Sequence, residues 1–139
     1  MALGAASASG GVGLPFSIER HAPWTALVVE DEFIIAFDME ERLSALGASE
    51  VRVARSALEA TKLVAAWRPA IALVDWRLAD GVAGELVARL SAMGVGIVIV
   101  SGAGRSDIGI EETPSIAYVE KPVSDADLAA AVAGLLVSA

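Results

Sequence analysis

The sequence predicts a doubly wound α/β fold with a five-stranded parallel sheet, and three observations carry that prediction. Short apolar runs alternate with stretches of helical periodicity from Thr25 to the C-terminus. Two of the runs, Ala70-Ile71-Ala72-Leu73-Val74 and Ile97-Val98-Ile99-Val100, are apolar at every position, as strands covered on both faces are. The runs also end on polar residues: Glu30 and Asp31 follow the first, Asp75 closes the third, Ser101 follows the fourth and Lys121 the fifth. Right-handed crossovers put all the carboxyl ends on one edge of such a sheet, and that edge is where open α/β sheets bind ligands.

Residues 1–22 read as an N-terminal tail or linker and residues 23–139 as one folded domain. The tail is rich in Ala, Ser and Gly up to Gly13, after which Leu14, Phe16 and Ile18 alternate as a short docked strand would. Thr25–Val29 is the first strand. The helix after it carries Ile35, Met39, Leu43 and Leu46 at helical spacing, with Gly47 placed to end it. Val51–Ala54 alternates weakly, as a more exposed strand does. Ser56 is an N-cap for a second helix through Leu58, Leu63, Val64 and Trp67, closed by Arg68 and Pro69. Strand 70–75 follows, then a loop from Trp76 to Ala83 containing Asp80-Gly81. A third helix carries Leu86, Val87 and Leu90 to Met93-Gly94. After the strand that ends at Ser101, Ile116–Val119 forms the fifth. Ser124, three residues before Asp127, caps a last helix carrying Leu128, Val132, Leu135 and Leu136.

Composition narrows the function classes. The 139 residues make one domain with a substantial core. Although 55% of them are hydrophobic, no run approaches the roughly 18 apolar residues of a membrane span. There is no secretory signal either, so a soluble cytoplasmic domain is expected, with no membrane partner. The absence of cysteine excludes disulfides, thiolate nucleophiles and zinc–thiolate sites. The single histidine, His21, precedes the folded part, which removes histidine triads and histidine metal clusters. A net charge of −8 argues against direct contact with nucleic acid.

What remains is the polar edge. Three carboxylates gathered there repel one another unless a cation neutralises them. A site of oxygen donors alone selects a hard cation, Mg²⁺ before Ca²⁺. Lys121 and Ser101 add a positive charge and a hydrogen-bond donor suited to a phosphoryl group. Asp75, on the middle strand, is then a nucleophile that forms an acyl phosphate. Each residue also has a plainer reading: Asp75 as a cap or turn aspartate, Ser101 as a turn residue, Lys121 as a solvated edge charge.

Taken together and in order, Leu27-Val28-Val29-Glu30-Asp31-Glu32, Leu73-Val74-Asp75, Val98-Ile99-Val100-Ser101-Gly102 and Tyr118-Val119-Glu120-Lys121-Pro122 resemble the response-regulator receiver domains of two-component signalling, chemotaxis-regulator-like in extent. The resemblance runs from about Thr25 to Ala139 and implies the flavodoxin-like receiver fold. It implies that Asp75 accepts a phosphoryl group from a phosphohistidine of a sensor histidine kinase or phosphotransfer protein. Glu30 and Asp31 match the acidic pair that holds Mg²⁺ together with Asp75, and Arg77 the position whose backbone carbonyl completes the metal shell. Ser101 matches the switch hydroxyl, Lys121 the lysine that contacts the phosphoryl group, and Tyr118 the aromatic whose rotamer reports the change, unless Tyr118 is plain core.

Two departures from that pattern stand out. Ala79 occupies a position where proline is usual, and Gly84 falls about one residue late. More seriously, residues 102–117 contain Gly109 and Pro114, which cost a helix interior about 1 and 3 kcal/mol, so the fourth helix is expected to be short or missing. The resemblance thus implies a stand-alone phosphoprotein that signals to an unknown downstream protein and catalyses only its own phosphorylation and dephosphorylation. Its oligomeric state is open, a homodimer included. The alternative is a degenerate receiver acting as a phosphorylation-independent interaction module. A nucleotide-binding reading of Gly102-x-Gly104 fails because the third glycine of that fingerprint falls on Asp107, whose charge repels a pyrophosphate.

Overall fold

Parallel pairing is what the apolar runs impose, because a strand buried on both faces needs helices above and below it. The structure, a computed structural model, describes residues 23–78, 81–102 and 108–138. Its strands are β1 (Trp24–Val29), β2 (Ala48–Ala54), β3 (Ile71–Asp75), β4 (Gly96–Ser101) and β5 (Ile116–Glu120). They form one parallel sheet in the order β2-β1-β3-β4-β5. Its helices are α1 (Phe33–Ala45), α2 (Ala57–Val64), α3 (Gly84–Ala92) and α4 (Asp125–Ser138). The sheet order puts β3 in the centre, and all five of its residues are buried.

Strand alternation divides the core in two. Ala26, Val28, Leu73, Val98 and Val100 face α1 and α4, where Met39, Leu43, Leu128 and Val132 cover them. Leu27, Val29, Val74, Ile97 and Ile99 face α2 and α3, where Ala60, Val64, Leu86 and Leu90 do so. Ala129, Ala131 and Ala133 of α4 are half-buried against the first of these layers, so that small-residue stripe serves packing on the sheet.

The caps fall where the sequence places them. Ser56 Oγ accepts the Glu59 N–H at 3.0 Å, and Ser124 Oγ accepts the Asp127 N–H at 3.0 Å. Gly47, at φ +116°, takes the left-handed conformation that ends α1. Helix α2 stops at Val64 and does not continue through Trp67, because Pro69 has no N–H to donate to the Ala65 carbonyl, its ring would crowd that carbonyl in a helix, and it biases Arg68 to extended backbone. Trp67 instead lies under the Arg52 guanidinium, 4.4 Å from ring centroid to Cζ. Leu58 points to solvent, since it lies about 160° around the helix from Ala60 at 100° per residue, and it is 61% exposed. Strand β2 begins three residues earlier than its hydrophobic pattern suggests, with polar Glu50 paired to Thr25 of β1 and Ser49 at the register shift before it.

Between β4 and β5 none of the described residues is helical. Gly109 sits at φ +78°, outside the helical region, while Ile108 and Ile110 pack onto the α2/α3 layer. The tail 1–22, the Ala79-Asp80 pair and residues 103–107 lie outside the described residues. An element absent from the hydrophobic pattern is a two-residue ribbon after β3, Arg77–Leu78 paired antiparallel with Gly81–Val82.

The division of the core makes a simple expectation. Leu90→Ala empties a fully buried site and should cost about 3 kcal/mol, whereas Leu58→Ala should change stability by no more than about 0.5 kcal/mol. Urea unfolding of the two variants checks the pair.

Candidate functional site

Backbone ladders fix each polar residue at the carboxyl edge. The Glu30 N–H donates to Ala54 O at 3.0 Å, the Trp76 N–H to Val100 O at 2.9 Å and the Lys121 N–H to Ser101 O at 2.9 Å, so pairing continues past the named strands to the residues that matter. Glu30 and Asp75 are buried, with Asp31 half-buried beside them. One carboxylate oxygen from each of the three lies within 4.8 Å of the others. Lys121 Nζ stands 3.3 Å from Asp75 Oδ1. The acids expected from the sequence are therefore gathered with the lysine around Asp75.

The remaining site residues divide by position. Arg77 is exposed two residues past Asp75, and its amide N–H makes a long hydrogen bond of 3.4 Å to Asp75 Oδ1. Ser101 is buried at the end of β4, beside Glu120 in the register. By strand alternation it falls on the same side as Ile97 and Ile99. Tyr118 is half-buried on that side too, paired with Ile99 and packed against the α2/α3 layer that Ile108 joins. The switch candidates thus sit on the sheet face opposite Met39 and α4, on the side where Ile108 and Ile110 pack.

Burial pushes the Glu30 carboxyl up to about 7. The Asp75 charge and a hydrogen bond with Asp31 act in the same direction, while the Glu32 N–H, donated to Glu30 Oε2 at 3.0 Å, and Lys121 oppose them. An unfolded chain ionises glutamate near about 4.3. Below that pH both states hold the proton. As pH rises between the two values the unfolded state loses it first and stability falls, the loss being complete above the folded value. Glu30→Gln should therefore stabilise the metal-free protein by about 3 kcal/mol at pH 8 and by nothing measurable at pH 4. Urea midpoints at the two pH values test this.

An open groove adjoins the acids. It has a volume of about 500 Å³ and lies between α1 and the Lys121-Pro122-Val123 loop, with Val28, Leu73 and Val100 as its floor. Arg42 of α1 also lines it. Neither is marked in the sequence, where Arg42 reads as an ordinary charge on a helix and its partners lie more than 80 residues away.

The fold with this edge is that of the response-regulator receiver domains. No family model matches the sequence. Among curated proteins it is 29% identical over 113 residues to the phyllosphere-induced regulator PhyR of Methylorubrum extorquens, covering 79% of this chain and 42% of that protein. Among solved structures it is similar to the receiver domain (CheY-like) from Methylobacillus flagellatus, with a TM-score of 0.71, 27% identity and coverage of 82% and 99%. It is also similar to the anti-anti-sigma factor PhyR from Bartonella quintana, with a TM-score of 0.74, 23% identity and coverage of 86% and 50%. The chain spans about half the length of these PhyR proteins or less. The resemblance read from the four motifs is borne out, as is the five-stranded fold. Among the described residues no helix is long and apolar enough to cross a membrane.

Proposed function

We propose that this chain is a receiver that takes a phosphoryl group onto Asp75 from a phosphohistidine, supplied by a sensor histidine kinase or phosphotransfer protein, and signals through protein contact. The observation that carries the reading is the buried Asp75 carboxylate with Lys121 Nζ at 3.3 Å and the Glu30 and Asp31 oxygens close by. An Asp75 carboxylate oxygen attacks phosphorus and forms the O–P bond as the P–N bond breaks; the imidazole nitrogen keeps the electron pair and takes a proton from solvent. Lys121 compensates charge on the phosphoryl oxygens, and the Ser101 hydroxyl turns to donate to one of them. Dephosphorylation is attack of water on phosphorus with Asp75 leaving as carboxylate. The chain catalyses nothing else.

The donor set fits Mg²⁺: three carboxylates, hard oxygens only, one of them so buried that it holds a proton near neutrality in the absence of a cation. Glu30, Asp31 and Asp75 would hold it, with the Arg77 backbone carbonyl, and when bound it supplies positive charge that complements the phosphoryl group. Downstream, Ser101 and Tyr118 act on the 108–115 segment. The target is a protein, for which the anti-anti-sigma description of the Bartonella relative offers a class. The reading places the protein in the cytoplasm.

Intact mass after incubation with acetyl phosphate, with and without Mg²⁺, tests the reading. One added phosphoryl mass that requires Mg²⁺ is expected. No gain at any Mg²⁺ concentration would leave a phosphorylation-independent interaction module.

A further inference from the structure

The acids and the lysine of the site stand on strands that do not touch. Glu30 and Asp31 follow β1, Lys121 follows β5, and β3 and β4 lie between them. On the α1/α4 side the groove opens between the two halves. Arg42 of α1 reaches from one wall to the other. Arg42, 18% exposed, donates from Nε to Asp125 Oδ1 at 2.9 Å, and its Nη2 lies 2.8 Å from the same oxygen in an ion pair. Nη2 also donates to the Val123 carbonyl at 2.8 Å, and Nη1 lies 3.6 Å from Asp38, one turn back on α1. Val123 is two residues past Lys121, and Asp125 opens α4.

We propose that Arg42 is a positioning residue that spans the groove and holds the Lys121 loop at its distance from Asp75. This rests on the phosphoacceptor reading for its consequence, but the geometric statement stands apart from it. A fixed fork of guanidinium donors suits the task, because it grips a carbonyl and a carboxylate at once with little freedom left to lose. Asp125 is 93% exposed, so its ion pair alone contributes little. The half-buried bond to Val123 does more to fix the loop. Displacing a positioned group by about 1 Å is enough to slow a reaction by up to about a hundredfold.

The chain has two lysines, Lys62 on α2 and Lys121, which allows the test to be read at the lysine itself. In Arg42→Ala the ¹³Cε resonance of Lys121, assigned by its loss in Lys121→Met, should move while that of Lys62 stays. Phosphorylation by acetyl phosphate should slow about tenfold, and Mg²⁺ affinity by calorimetry should stay within about twofold, because the acids sit on other strands. Asp125→Asn, which keeps the carbonyl bond, should have a smaller effect on rate. Val64→Ala, destabilising on the far face of the sheet, should leave the Lys121 resonance and the rate per folded molecule unchanged. An unmoved Lys121 resonance in Arg42→Ala overturns the proposal, as does a rate no lower than that of Val64→Ala. If the wild type takes up no phosphoryl group, the functional reading falls and the Lys121 resonance alone decides the role of Arg42.

Discussion

Asp75→Asn should abolish phosphoryl uptake from acetyl phosphate and leave the fold in place. The side chain keeps its size and its hydrogen-bond acceptor, so the buried site at the end of β3 is not emptied. What it loses is the nucleophilic oxygen. The substitution also removes one carboxylate from a site where three stand within 4.8 Å of one another, so the metal-free variant should melt no lower than the wild type. Intact mass and a thermal melt on the same sample decide the matter. A variant that still gains one phosphoryl mass at a Mg²⁺-dependent rate would move the acceptor to another residue.

Lys121→Met should slow phosphorylation about a hundredfold, the typical cost of losing one charge-stabilising donor. Methionine keeps most of the aliphatic stem, so packing beside Pro122 is little disturbed. The metal side should respond in the opposite sense. Lys121 holds the Glu30 carboxyl down, against its burial, and its ammonium competes with any cation for Asp75 at 3.3 Å. Mg²⁺ should therefore bind the variant at least as tightly as the wild type. A large loss of rate with no loss of metal affinity assigns the ammonium to the phosphoryl group. A rate within about threefold of wild type would leave it a surface charge.

The sheet was legible because fully apolar strands have few alternatives, and the site because strand ends in a parallel sheet share one edge. Asp75 shows this well: nothing local marks it, yet its place after Ala72-Leu73-Val74 puts it beside Glu30 once β1 and β3 pair. The illegible parts were set by partners remote in sequence or by the backbone. Arg42 gains its meaning from Val123 and Asp125. Leu58 counts as apolar in any pattern, but the direction of α2 is decided by the Ala60–Val64 stripe, which sends it outward. The ribbon at Arg77–Val82 is held by backbone pairing, with no periodicity long enough to announce it. Among the described residues between β4 and β5, Gly109 leaves helical geometry as its residue type suggests, although the way Ile108 and Ile110 cover the sheet could not be anticipated.

The unequal cover of the sheet also implies unequal cost of opening it. β3 has a neighbouring strand on each side, helical layers on both faces and no exposed residue. β5 is an edge strand, with Glu120 exposed and Ala117 and Tyr118 half-buried, and the 108–115 segment lends its α2/α3 side only a few apolar contacts. Local unfolding free energies follow such differences, from near zero at weakly covered rims to the global value in the centre. Asp75 lies on the strand that should open last, whereas Ser101 and Tyr118 border the part that should open first. A coupling of about 1–3 kcal/mol, the usual size of an allosteric signal, is too small to rearrange β3 but is comparable to the cost of redistributing the β5 rim. A rigid acceptor next to a pliable rim therefore directs the response of the molecule to one side of the sheet.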